Sequence, residues 1–145
     1  MNITGGGFAP FGVSLTPGVP RPHTVVGNAT HLGKHSGLGM FQITGPDPGG
    51  NPLKARFSSA PVVTFVAANG DELVCTYGAG GTGEVTLTQH VTVEFTARFV
   101  AEFKSVPALS TGRFEGVTGS WIMIANSSAF TFVSPTDTTP FTFTW

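Results

Sequence analysis

Charged residues are scarce in this chain of 145 residues: Asp, Glu, Lys and Arg together make up only 10% of it, less than half of their usual share in globular proteins. The net charge is −1, and no basic cluster occurs anywhere. Because nucleic acids and anionic membrane surfaces are recognised through such clusters, we expect no nucleic-acid partner. A net charge so close to zero gives little protection against self-association, so we expect a homo-oligomer.

Cysteine is equally scarce, since Cys75 is the only one. A single thiol excludes a disulfide within the chain and a zinc site built from several cysteines. Of the four histidines, His31 and His35 lie in a glycine-rich, strand-like segment, where a spacing of four residues separates side chains by about 13 Å. His90 falls on a polar strand face, and His23 follows a proline. We therefore predict no metal site and no cofactor.

Long apolar runs are missing as well. No stretch reaches the 18 apolar residues that a membrane-spanning helix needs, so we expect no membrane span. The first residues, MNITGGGFAPFG, have neither the basic start nor the apolar core of a signal peptide. The protein is then either cytoplasmic or a mature form whose signal was removed. Low charge and abundant Thr and Gly favour a secreted or periplasmic protein.

What the chain does contain is typical of β-sheet. Hydrophobic residues make up 40% and include 13 Phe, which is enough for a packed core. Thr, Ser and Gly occupy the polar positions, and Thr favours strands over helices. Length and composition fit a single domain over residues 1–145. No apolar stripe with a helical period is present, so no significant helix is expected.

The most informative segment is 84–99, where apolar and polar residues alternate over sixteen positions. Period 2 indicates a strand with one face on a core and the other in water, as in an antiparallel sheet. We interpret it as one long strand with a bend or bulge. The apolar series is Val85, Leu87, Gln89, Val91, Val93, Phe95, Ala97 and Phe99.

The remaining chain divides into short strands and turns. Residues 1–22 are rich in Gly and Pro and are predicted to be an N-terminal arm, with a strand only at 8–15. Two strands broken around Gly33–Gly39 follow, and Asn69-Gly70 predicts a hairpin between 61–68 and 72–77. Residues 134–145 form a C-terminal strand or tail. Eight or nine strands without crossover helices predict an all-β barrel or sandwich.

The segment Ser110-Thr111-Gly112-Arg113-Phe114-Glu115-Gly116-Val117-Thr118-Gly119 resembles the Gly-x-Phe-x-x-Ala-x-Gly hairpin of plant dirigent proteins and allene oxide cyclases. The segments at 28–33 and 67–73 are similar to uncharacterised bacterial proteins of that barrel type. The resemblance implies a single closed antiparallel barrel of about eight strands, lipocalin-like or allene oxide cyclase-like. Independently of the family, Gly112, Gly116 and Gly119 allow a tight corner, which predicts that Phe114 plugs a barrel end with Arg113 and Glu115 outside. No catalytic residue can be carried over, because the families' acidic and polar site residues do not align with this chain.

Gln89 is the one polar residue in the apolar series, so it either holds an internal water or faces a cavity. Tyr77, Trp121 and Met123 could line the same interior beside Phe95, as an aromatic wall for an apolar ligand. Equally, these side chains could simply fill the barrel. The predicted ligand-binding residues are therefore Tyr77, Gln89, Phe95, Trp121 and Met123, and catalytic residues are unknown.

Three functions remain open. The first is a barrel that binds a small apolar molecule inside, by analogy with the resembled families. The second is a cofactor-free cyclase or isomerase that folds a flexible substrate, so whether the chain is an enzyme is uncertain. The third is an assembly subunit whose last strand, FTFTW, pairs with a neighbour. A cavity of a few hundred cubic ångströms would support the first two, and an ionisable group in its wall (Glu72, Glu94, Arg98 or His90) would favour catalysis.

Overall fold

The computed structural model describes residues 2–145, which form ten β-strands and two single-turn 3₁₀ segments. The strands are β1 (Ile3–Ala9), β2 (Arg21–Ala29), β3 (Gly33–Pro46), β4 (Lys54–Ala67), β5 (Glu72–Tyr77), β6 (Glu84–Val91), β7 (Glu94–Ser105), β8 (Ser120–Ser127), β9 (Phe130–Thr131) and β10 (Phe141–Thr144). The two 3₁₀ segments span Ala79–Gly81 and Gly112–Phe114. Among the described residues, no helix is long and apolar enough to cross a membrane.

The strands close into an antiparallel barrel. Neighbours follow the order β3, β2, β1, β10, β8, β7, β5, β4, and pairing of β3 with β4 completes the ring. β5 and β6 occupy one position in this ring in succession: both pair with β4 on one side and with β7 on the other. The barrel therefore has eight strand positions. The predicted all-β barrel of about eight strands without significant helix is confirmed.

The alternating segment 84–99 is not one strand, as its pattern predicted, but the hairpin β6–β7 with a turn at Thr92 and Val93. The alternation continues through the turn because Val85 pairs with Phe99, so inward-facing residues have odd numbers on both strands. A register shift beside Val91 allows a two-residue turn to preserve this parity. Periodicity alone cannot distinguish such a hairpin from a single long strand.

The predicted Asn-Gly hairpin is confirmed between β4 and β5. The amide of Gly70 donates to the carbonyl of Ala67 at 2.9 Å, and Gly70 adopts a φ of 89°, a conformation that glycine reaches without steric cost. The amide of Ala67 in turn donates to the carbonyl of Asp71 at 2.9 Å. Val66 then pairs with Glu72, which sets the register of the two strands.

The predicted N-terminal arm is instead part of the barrel. Residues 3–9 form β1, which pairs with β2 and β10, whereas the predicted strand at 8–15 overlaps it only at its end. The three consecutive glycines lie inside this strand because its neighbours come very close. A Cβ on Gly7 would lie 2.3 Å from the ring of Phe143, and one on Gly5 would lie 2.4 Å from the carbonyl oxygen of Val26. Glycine here serves close packing rather than flexibility.

Close packing also explains β3, which the sequence predicted to be broken around Gly33–Gly39. The break lies earlier, at residues 30–32, and β3 runs through the glycines. Gly39 lies opposite His23, and a Cβ there would lie 2.6 Å from the imidazole. Gly37 lies opposite Val25 and is crowded by it at the same distance. These glycines leave room for inward-facing side chains of β2.

Aromatic rings fill the middle of the barrel. Phe57, only 2% exposed, lies 5.1 Å from the ring of Phe41 and 5.6 Å from that of Phe99. Tyr77 and Phe103 continue the cluster at a ring separation of 4.9 Å. Contacts at these distances add to the hydrophobic gain of burying each ring. The packed middle separates the two ends of the barrel, which differ in how they are covered.

Candidate functional site

One end of the barrel, here called the latched end, is covered by the loop between β7 and β8. Phe114 of this loop is 6% exposed and belongs to the core, as predicted from the motif, and Arg113 and Glu115 are exposed on the outside. Ser110 Oγ accepts a hydrogen bond from the amide of Val74 at 3.1 Å. Arg113 Nε lies 3.4 Å from Asp71 Oδ2 in the Asn-Gly hairpin. Polar contacts therefore hold an apolar plug in place.

A surface depression of about 510 Å³ lies beside this loop. Phe114, Val117 and Trp121 line it, and His31 and Arg113 add polar groups. Arg113 already has two partners: it is paired with Asp71, and it donates to the carbonyl of Leu32 at 3.3 Å. The depression is thus bordered by groups that also hold the loop between β7 and β8 in place.

The opposite end opens into an apolar funnel of about 370 Å³. Its walls come from β3, β6, β7 and the segments that precede β2 and β10. They include Leu15, Phe41, Ile43, Leu87, Phe95 and Phe132. Among the described residues, Lys54 is the one charged side chain in the lining, and Glu84 Oε1 holds its Nζ at 3.2 Å. The funnel has the size and the apolar character of a small-molecule pocket.

A second, much smaller cavity of about 60 Å³ lies deeper inside the barrel. Tyr77, Trp121, Met123 and Phe143 are among the side chains that line it. A cavity of about 10–15 Å³ already admits one water and one of about 150 Å³ holds a benzene ring, so this space is enough for a functional group but not for a whole apolar molecule. Apart from this cavity, aromatic side chains fill the middle of the barrel.

Three phenylalanines separate the funnel from the inner cavity. Phe41, Phe99 and Phe141 line both spaces, together with Val13. Phe99 and Phe141 are buried, whereas Phe41 is only half-buried. Phe41 is consequently the member of this partition with the most freedom to change its rotamer.

Two polar side chains of β2 face the inner cavity, Arg21 and His23. Arg21 donates to Asp137 Oδ1 at 2.8 Å, but its buried Nε has no hydrogen-bond partner among the described residues. His23 is 8% exposed, and its Nδ1 is likewise buried without a partner there. Burial lowers the pKa of His23 to about 4, so the imidazole is neutral at pH 7.

Tyr77 and Cys75 are not poised for chemistry. The hydroxyl of Tyr77 donates to the carbonyl of Met40 at 3.0 Å, and burial raises its pKa. Burial raises the pKa of the Cys75 thiol to about 12. The thiol therefore stays protonated near pH 7 and is a poor nucleophile.

The five predicted ligand-binding residues do not form one site. Tyr77, Trp121 and Met123 line the inner cavity, and Phe95 lines the funnel. The expectation that Gln89 is buried was wrong: it is exposed, and its Nε2 donates to the carbonyl of Thr92 at 3.0 Å. β4 pairs with β6 only as far as Thr86, so the β6–β7 hairpin projects beyond the barrel and carries Gln89 into solvent.

The ionisable groups proposed as a test for catalysis do not line the interior. Glu72 and Glu94 are half-buried, Arg98 and His90 are exposed, and none of the four lines the inner cavity or the funnel. Within residues 2–145, no group of three His, Cys, Asp or Glu side chains could hold a metal ion.

The sequence analysis missed the polar groups that do face the inner cavity. The argument applied to Gln89 could have found His23, because His23, Val25 and Ala29 recur with period 2 on the buried face of β2. Proline on both sides of Arg21, at Pro20 and Pro22, obscured that pattern.

The C-terminal strand was correctly located, but both its edges are used, since β10 pairs with β1 and β8. Strand donation to a neighbour would require breaking the barrel.

No protein-family model, curated protein or solved structure matches the chain.

Proposed function

We propose that this protein binds a small, uncharged apolar molecule in the funnel at the open end of its barrel. The observation that carries this proposal is the funnel itself, about 370 Å³ of space with aromatic and aliphatic walls. Burial of a ligand there would remove apolar surface from water on both partners, at roughly 25 cal/mol per Å². The proposal agrees with what the resemblance to allene oxide cyclases and dirigent proteins implies about their barrels.

The charge distribution favours an uncharged ligand. Lys54, the charged residue of the funnel wall, is paired with Glu84 at 3.2 Å, and Arg56 shares the same carboxylate at 3.8 Å. An anionic ligand would compete with that carboxylate, and a cation would find no free partner in the lining among the described residues. The inner cavity is too small for the whole molecule, so the proposed site is the mouth of the barrel.

The test is a titration with N-phenyl-1-naphthylamine, a neutral apolar dye whose fluorescence rises in apolar surroundings. We expect saturable binding to the wild-type protein. Leu87→Glu, which places a carboxylate in the funnel wall, should weaken binding by at least about tenfold, because an unpaired charge beside an apolar ligand costs several times RT. Leu53→Glu at the funnel edge is a second variant and keeps the test decisive if Leu87→Glu does not fold.

Leu38→Glu is the matched control. Leu38 has the same side chain on a strand of the same barrel, but it is exposed on the outer face of β3. Dye binding by this variant should stay within about twofold of the wild type, a change of no more than RT ln 2. Absence of saturable dye binding to the wild type, or equal affinity in all three variants, would overturn the proposal.

A further inference from the structure

Two side chains that line the inner cavity carry polar atoms that have no partner within the described protein. Arg21 Nε and His23 Nδ1 are buried, and neither has a hydrogen-bond partner among residues 2–145. An unpaired buried polar atom is costly in a folded protein, so such atoms are expected to meet a water or a ligand. Both side chains line the cavity, as does Pro22 between them. Two side chains with an unpaired polar atom thus border one cavity.

From these groups we propose that the inner cavity binds the hydroxyl group of an apolar alcohol through His23, while the hydrocarbon part of the molecule occupies the funnel. This inference rests on the proposed function, because it takes the funnel as the site of the apolar part. It adds the polar group that the ligand carries and the direction in which the ligand enters.

The size of the cavity fits a head group. About 60 Å³ is enough for a hydroxyl and the first carbons of a chain, since a cavity of about 10–15 Å³ already admits one water. The cavity adjoins the funnel through the partition of Phe41, Phe99 and Phe141. A ligand that enters head first would displace Phe41, the least buried of the three rings.

The hydrogen-bonding capacity of the cavity favours a hydroxyl over a charged group. A neutral imidazole nitrogen is a donor or an acceptor according to its tautomer, and a hydroxyl complements either form. Arg21 Nε–H is a donor and complements the hydroxyl oxygen. Asp137 already balances the charge of Arg21 at 2.8 Å, so the site has no excess positive charge for an anion. No described carboxylate lines the cavity to attract a cation.

The test compares two competitors on two variants. Octan-1-ol and 1-chlorooctane have the same chain, but the chloroalkane cannot donate a hydrogen bond. Each displaces N-phenyl-1-naphthylamine from the wild type and from His23→Phe, which keeps an aromatic ring against Tyr77 and Phe143. We expect the variant to lose about fivefold to tenfold in octan-1-ol affinity, the worth of one hydrogen bond, and less than about twofold for 1-chlorooctane.

His35→Phe is the matched control. His35 is also buried and also has an unpartnered ring nitrogen, Nε2, among the described residues, yet it is not among the residues that line the inner cavity. Both competitors should bind this variant within about twofold of the wild type. His23→Leu replaces His23→Phe if the latter does not fold, with the same expected loss.

A spectroscopic readout separates a direct contact from a structural effect. In long-range ¹H–¹⁵N spectra of the histidine rings, octan-1-ol should shift the Nδ1 resonance of His23 and 1-chlorooctane should not. Equal octan-1-ol affinity in the wild type and His23→Phe, with dye binding intact, would show that the cavity holds water only and would overturn this inference alone. If the dye itself does not bind the wild type, the proposed function fails, and the inference fails with it.

Discussion

The two ends of the barrel differ in how they are covered, and the difference suggests which end is available to a ligand. At the latched end, an apolar plug, Phe114, is held by hydrogen bonds from its loop to β5 and by an ion pair to the Asn-Gly hairpin. At the open end, aromatic and aliphatic walls surround a funnel of about 370 Å³ with no comparable plug among the described residues. One end of the barrel is thus plugged, and the other end is open.

The largest expected effect is a difference in the free energy of unfolding between variants at the two ends. Phe114→Ala removes a buried ring, and we expect it to lower the free energy of unfolding by about 4 kcal/mol. Leu87→Ala at the funnel should cost only about 1 kcal/mol, because its side chain is half-buried and leaves no closed cavity. Urea denaturation of both variants and the wild type measures the difference. Equal losses would show that the funnel wall is as tightly packed as the plug.

The next effect concerns His23, which lies between the two ends. Its pKa is lowered from the ordinary 6.5 to about 4 by burial, so the unfolded state binds a proton at higher pH than the folded state. The contribution of His23 to the free energy of unfolding is complete above pH 6.5. It is lost as the pH falls toward 4, by up to about 3 kcal/mol.

Urea denaturation of the wild type and His23→Phe between pH 7.5 and pH 4 checks this expectation. The variant should lose less stability on acidification than the wild type, although carboxylates titrate in both proteins. His90→Phe is the control, because it removes an exposed histidine of the β6–β7 hairpin and leaves the buried interior intact. Parallel profiles for the wild type and His23→Phe would mean that His23 is not buried in the neutral form.

The smallest of the three effects concerns the polar contacts that hold the loop between β7 and β8. Ser110 Oγ accepts from the amide of Val74 and donates to the carbonyl of Val106, both at 3.1 Å. Ser110→Ala leaves a buried amide without its partner, and we expect a loss of about 2 kcal/mol in the free energy of unfolding. Thermal unfolding measures it, with the exposed Ser36→Ala as the control. A loss as small as that of the control would mean that the plug alone closes this end.

Much of the fold could be predicted from the sequence, because apolar and polar side chains alternate along a barrel strand. The β6–β7 alternation and the Asn69-Gly70 turn are local patterns, and both indicated antiparallel sheet correctly. The glycines of β1 and β3 misled the prediction. Their role depends on Phe143, Val25 and His23 of neighbouring strands, which no local pattern reveals.

The site was harder to predict than the fold. Whether an inward residue lines a cavity or projects beyond the rim depends on where its neighbouring strand ends. Gln89 shows this: its position in the alternation is inward, but the neighbouring strand β4 begins at Lys54 and pairs only as far as Thr86. His23 was passed over because Pro20 and Pro22 obscure the period-2 pattern of its strand and because its burial also depends on Gly39, which faces it across β3.

The central claim is that an apolar ligand binds at the open end and not at the latched end. Intermolecular NOEs between octan-1-ol and the methyl groups of the protein test it most directly. The account predicts NOEs to Leu87 and Ile43 of the funnel and none to Leu73 or Val117, which border the depression at the latched end. NOEs to Leu73 and Val117 without NOEs to Leu87 would contradict the account.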